Sequence, residues 1–193
     1  MLINSSRLTK TPIMSLQTGT QLGVIDQPII NPADLQIIAY RVASSLTKSS
    51  ETYLRIIDSR ELSDIGIIID SIDDFVVRGD VIKLDELCDL NFKLDKISVI
   101  DEKRKKLGKV IDYTIDVDDF RVQQLIVRRP LIKSFNDTEL VIHRSQIIEI
   151  TNSAIVVHSQ AKVPEHTRIT TPGSYVNPFR KSKPAAESID LSN

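Results

Sequence analysis

Part of this chain is written twice, and that repetition limits its architecture more than any other feature. Gln21 to Val42, QLGVIDQPIINPADLQIIAYRV, lines up with Lys106 to Arg129, KLGKVIDYTIDVDDFRVQQLIVRR, when a two-residue insertion is allowed in the second copy. Leu22-Gly23 then falls on Leu107-Gly108, and Leu35-Gln36 on Val122-Gln123. The likeness continues downstream, where Tyr53 to Asp70 resembles Glu139 to His158: apolar run, polar turn, Ile- or Leu-bearing turn, second apolar run. A chain that repeats such a unit is expected to fold it twice.

Within each copy the apolar residues alternate with polar ones over short stretches. Ile111, Tyr113, Ile115 and Val117 are interleaved with Asp112, Thr114 and Asp116, the period-two pattern of a strand with one face buried and one wet. Trp is absent, aromatics make up 5 % of the chain, and Ile and Val are abundant, a mixture that favours strands over helices. Thr18-Gly19-Thr20, Glu102 to Lys106, Asp118-Asp119 and Thr151-Asn152-Ser153 separate the runs and supply turn chemistry. Gly23 and Gly108 stand at the same place in the two copies, inside a strand, where a bulge or barrel corner is the reason to keep a residue without Cβ. Pro28 has no N–H to give to a ladder, which places it at an edge or bulge. The expectation is an all-β protein of two small barrels in tandem.

Between the copies, GDVIKLDELCDL puts Leu84, Leu87 and Cys88 on one helical face with Asp80 as N-cap, which predicts a short connecting helix. After His158 the pattern changes. Residues 161–193 carry Pro164, Pro172, Gly173, Pro178 and Pro184 with little apolar periodicity, too little to offset the entropy of ordering, so a disordered tail is expected there. The expected organisation is therefore a first module at 1–78, a helical connector at 79–90, a second module at 91–160 and the tail. No stretch approaches the roughly 20 apolar residues that cross a bilayer. Cys88 is the single cysteine, and MLINSSRLTKTP lacks the apolar core of a signal peptide; the expected setting is cytoplasmic.

The residues that carry the repeat resemble the PRC-barrel family, a small β-barrel module found in the photosynthetic reaction centre H subunit and in the bacterial ribosome maturation factor. LGKVIDYTIDVDDFRVQQLIV and ELVIHRSQIIEITNSAIVV in the second copy are similar to that family's Gly-containing strand, acidic turn and closing strands, and TGTQLGVI, LQIIAYRV and LRIIDSRELSDIGIII answer them in the first. The resemblance implies a binding module with no family-wide catalytic residue. The expected function is a non-enzymatic adaptor or scaffold for a macromolecular partner, with a protein, including a second copy of the chain, as partner. The alternative is an RNA- or ribosome-associated assembly factor.

Candidate sites are few. Lys103, Arg104, Lys105, Lys106 and Lys109 form the densest charge cluster in a chain of formal net charge -1. Such a cluster either contacts phosphates or is a solvated hairpin whose charge blunts a sheet edge. In the tail, Tyr175, Phe179 and Arg180 join aromatic anchors to positive charge, as short binding patches do. Asp112, Asp116, Asp118 and Asp119 suggest a cation site, but a calcium loop wants Gly at its sixth position and Glu at its twelfth, and counting from Asp112 gives Val117 and Gln123. The acidic run is expected to be a solvated turn. His143, His158 and His166 are scattered, Cys88 has no nearby partner, and Asp73-Asp74 has nothing to bury it, so no metal, cofactor or catalytic residue is expected.

Overall fold

The computed structural model describes residues 1–49, 51–130 and 139–158. Alternation along the chain becomes strands wherever it was marked: in Lys106–Asp116, Val110, Tyr113 and Ile115 turn inward while Lys106 and Lys109 stay exposed. The first half holds β1 (Leu2–Asn4), α1 (Ser5–Leu8), β2 (Pro12–Ser15), β3 (Gln21–Asn31), β4 (Gln36–Ala43), β5 (Thr52–Arg55), β6 (Glu61–Ser63), β7 (Gly66–Ile69) and β8 (Phe75–Val77). After α2 (Ile82–Leu90) follow β9 (Ser98–Asp101), β10 (Lys106–Asp116), β11 (Arg121–Arg128), β12 (Glu139–His143), β13 (Ile147–Ile150) and β14 (Ala154–Val157). Short 3₁₀ turns at Ile56–Asp58, Ile72–Asp74 and Arg144–Gln146 bend the chain between strands.

One set of pairings occurs twice. β2 runs antiparallel to β3 and parallel to β7, β3 pairs β4, β4 pairs β5, and β6 pairs β7. In the same order β9 runs antiparallel to β10 and parallel to β14, β10 pairs β11, β11 pairs β12, and β13 pairs β14. The two sets join where Arg121 pairs with Gln36, so hydrogen bonding forms a single open sheet of 14 strands rather than two separate closed ones. At that seam the Ile37 amide donates to the Phe120 carbonyl at 2.8 Å and the Val122 amide to the Leu35 carbonyl at 3.0 Å. Residues of equivalent position thus meet reciprocally, as they do across a two-fold axis.

The seam corrects the alignment read from the sequence. β3 and β10 are both 11 residues, β4 and β11 both 8, and the turns between them end alike on Leu35 at φ 56° and Phe120 at φ 50°. No insertion is needed: Gln36 corresponds to Arg121. A side chain in the left-handed region is uncommon, and both here are apolar and buried, so packing holds a backbone that the residue types did not announce. The repeat also begins earlier than the sequence suggests. Lys10 (φ 63°) donates to Ile25 and Thr11 to Leu8, while Lys96 (φ 64°) donates to Val110 and Ile97 to Leu94.

Leu8 and Leu94 lie in one core with Ile25, Ile37, Tyr40, Val110, Tyr113 and Leu125. The helices cross over: Ser5 and Ser6 of α1, which precede the first copy, hydrogen-bond Asp112 of the second at 2.6 and 2.9 Å. Leu84 of α2, which precedes the second copy, packs with Ala39 and Tyr53 of the first, beside Cys88. The N-cap of α2 is Val81 and not Asp80, because the Asp80 carboxylate accepts the Val77 amide at 2.9 Å and closes the preceding turn instead.

Gly23 pairs with Ile13 and Gly108 with Val99, and each stands next to a register shift. A Cβ on Gly108 would come 2.2 Å from the Arg128 carbonyl oxygen, and one on Gly23 would come 2.9 Å from that of Ala43. Pro28, paired with Tyr40, directly follows a second register shift in β3, the kind of bulge at which strand prolines are found.

Candidate binding surface

The basic cluster is built on the β9–β10 hairpin. Asp101 is buried, and its carboxylate accepts the Lys103 and Lys105 amides at 2.9 and 2.8 Å. Charge on the hairpin's own aspartate is therefore spent on backbone, while the four basic side chains after Glu102 are exposed. The β2–β3 hairpin has the same plan, with buried Ser15 accepting the Thr18 amide at 3.2 Å and Gly19 at φ 65° where Arg104 has φ 59°.

Pairing across the ladder extends the cluster. Lys109 faces Arg128 directly on the outer row, and Arg129 follows. The equivalent pair in the first copy is Val24 and Ala43. Among the described residues no ion pair involves Lys103, Arg104, Lys105, Lys106, Lys109, Arg128 or Arg129; Glu102 is hydrogen-bonded to His158 at 2.6 Å, and Glu139 lies across from Arg128. Arg128 and Arg129 were missed by the sequence reading because only strand pairing brings them beside Lys109.

The acidic run is dispersed. Asp112 holds Ser5 and Ser6, Asp116 contacts the Met1 amino group, and Asp119 pairs with Arg121 at 3.2 Å. Among the described residues no group of three or more His, Cys, Asp or Glu stands together as a metal site. His143 accepts the Ser145 amide on Nδ1 at 3.2 Å. Asp74 accepts the Asp70 and Ser71 amides in a capping box, while Asp73 is exposed. Cys88 is half-buried against Tyr53, and burial pushes its thiol up, away from the reactive thiolate. His166, Tyr175, Phe179, Arg180 and the expected tail lie outside the described residues.

A cleft of about 440 Å³ is lined by Ile38, Ile56 and Ile57 of the first copy, Val81 and Leu84 at the start of α2, and Asp118 and Asp119 of the second copy. Ile57 is 83 % exposed there. Its counterpart, lined by Asp34 of the first copy with Arg144, Ile147 and Ile148 of the second, is about 240 Å³. No helix of the described residues is long and apolar enough to cross a membrane. No protein-family model matches the chain, and a search of curated proteins finds no match either.

Proposed function

We propose that the chain is a non-enzymatic adaptor in which two PRC-barrel-like modules, fused in tandem, hold a macromolecular partner. The observation that carries this reading is an exchange of surface chemistry on a repeated ladder: Gly19, Gln21, Val24 and Ala43 in the first copy give way to Arg104, Lys106, Lys109 and Arg128 in the second. Lys109 and Arg128 are like charges directly across a ladder, which destabilises it; Glu139 offsets part of that from the other side of Arg128, and an acidic partner relieves what is left. The cleft beside Ile57 adds an apolar surface of the kind protein side chains fill, and for that reason a protein is the favoured partner.

A second reading, an RNA- or ribosome-associated assembly factor, is favoured by the density of unpaired cations alone. Among the described residues the cluster itself contains no aromatic side chain to stack on bases, so RNA contact there would run through phosphates, with log affinity falling by about 0.7 per contact for each decade of salt. Capture of partners on the immobilised protein at rising salt, run beside anisotropy with a structured RNA, separates the two. The adaptor reading expects a protein retained at moderate salt and weak RNA binding. Tight, salt-sensitive RNA binding that disappears when Lys103, Arg104, Lys105 and Lys106 are changed to Ser would replace it with the second reading.

A further inference from the structure

The two copies differ at one edge. In the first, β5 is paired on both sides, by β4 and by β8, with Thr52, Tyr53 and Leu54 facing Val77, Val76 and Phe75. In the second, β12 holds the place of β5, and among the described residues it pairs only with β11, from Gln124–His143 to Arg128–Glu139. An unpaired edge is a template for another strand, and proteins usually blunt it with Lys, Pro, a bulge or extreme shortness. β12 has five residues, Glu-Leu-Val-Ile-His, in unbroken register, alternating exposed and buried, with Val141 at its centre 53 % exposed.

We propose that β12 is the docking edge for a second copy of this chain, antiparallel about a two-fold axis through Val141. A symmetric contact needs a self-complementary surface, and this strand is one. In the register centred on Val141, that residue meets itself, Leu140 meets the partner's Ile142 in the inner row, and Glu139 meets the partner's His143, twice per dimer. His143 suits the role: because Nδ1 accepts the Ser145 amide, the neutral ring carries its proton on Nε2 and donates from there. Glu139 would then lie between Arg128 of its own chain and an imidazole of the other. The competing occupant is the segment 163–165, which follows β14 at the distance at which β8 follows β7. Its central residue is Pro164, which an edge strand accepts only with its N-less side turned to solvent, whereas every residue of β12 in a second copy has an N–H to give, and this favours the second copy. The proposal is independent of which macromolecule the basic face binds.

Sedimentation of the full chain over a range of concentrations tests it. The unmodified protein should sediment at twice 21.7 kDa. Glu139→Lys sets a cation against His143, and Val141→Lys places charge at the axis; each should return the mass to a single chain with the far-ultraviolet circular dichroism unchanged. Adding His143→Glu to Glu139→Lys re-pairs opposite charges in the same register while leaving the contact with Arg128 altered, so a regained dimer isolates the contact between chains. A monomer at every concentration overturns the proposal, as does a dimer indifferent to these changes or a Glu139→Lys monomer that His143→Glu fails to rescue.

Discussion

Gly108 is the residue at which the fold leaves least freedom. Its missing Cβ is the space in which the Arg128 carbonyl sits, at 2.2 Å from where that carbon would be, whereas Gly23 leaves 2.9 Å at the matching place. Gly108→Ala should therefore cost about 2 to 4 kcal/mol in chemical denaturation and Gly23→Ala about 1; equal costs would contradict the difference in approach. Tyr40 and Tyr113 give a second residue-level test. Burial pushes the Tyr113 phenol up to about 12, and Tyr40 shifts in the same direction, its hydroxyl without a partner among the described residues. A proton held more tightly in the folded state stabilises it fully below the usual value of 10.0, and that contribution is lost as pH rises towards 12. Tyrosinate absorbance should hence lag in the folded protein and rise as it unfolds. Tyr40→Phe should leave stability unchanged or raise it by about 1 kcal/mol, since it removes a buried hydroxyl without a partner. The paired glycines were legible in the sequence because strand glycines are unusual. Lys10 and Lys96 in the left-handed region were not, since nothing in a lysine side chain signals that conformation.

At the level of elements, period-two alternation located the long strands, and the apolar face of GDVIKLDELCDL located α2. The insertion and the start of the repeat were misread because apolar identities slide along β-branched runs, whereas positive φ angles and ladder register fix positions. Leu8 and Leu94 hold equivalent places, both buried in the shared core and each accepting an amide three residues on. Leu8→Ala and Leu94→Ala should each lower stability by about 2 to 4 kcal/mol. Because the core is common to both copies, each variant should shift one unfolding transition seen alike by every probe. A substitution that melts only its own half would show that the copies fold as separate domains.

For the whole molecule, the repeat accounts for the fold, and its broken symmetry is the observation on which the proposed function rests. The cluster at Lys103 to Lys106 and Lys109 was visible in the sequence, but its extent was not: Arg128 and Arg129 join it through pairing with a strand far away in the chain. Nor could the sequence show that the first copy carries neutral residues on the matching frame. A chain of formal net charge -1 has no overall attraction to an acidic surface, so such binding needs a local basic patch, and this face is the densest one among the described residues. The most direct measurement uses mirror-image variants on a resin bearing polyglutamate. Changing Lys106, Lys109 and Arg128 to Ser should abolish retention or sharply lower the salt needed for elution, while changing Gln21, Val24 and Ala43 to Ser at the matching places should leave the elution salt unchanged. Equal elution of the two variants, or no retention of the unmodified protein, would contradict the account.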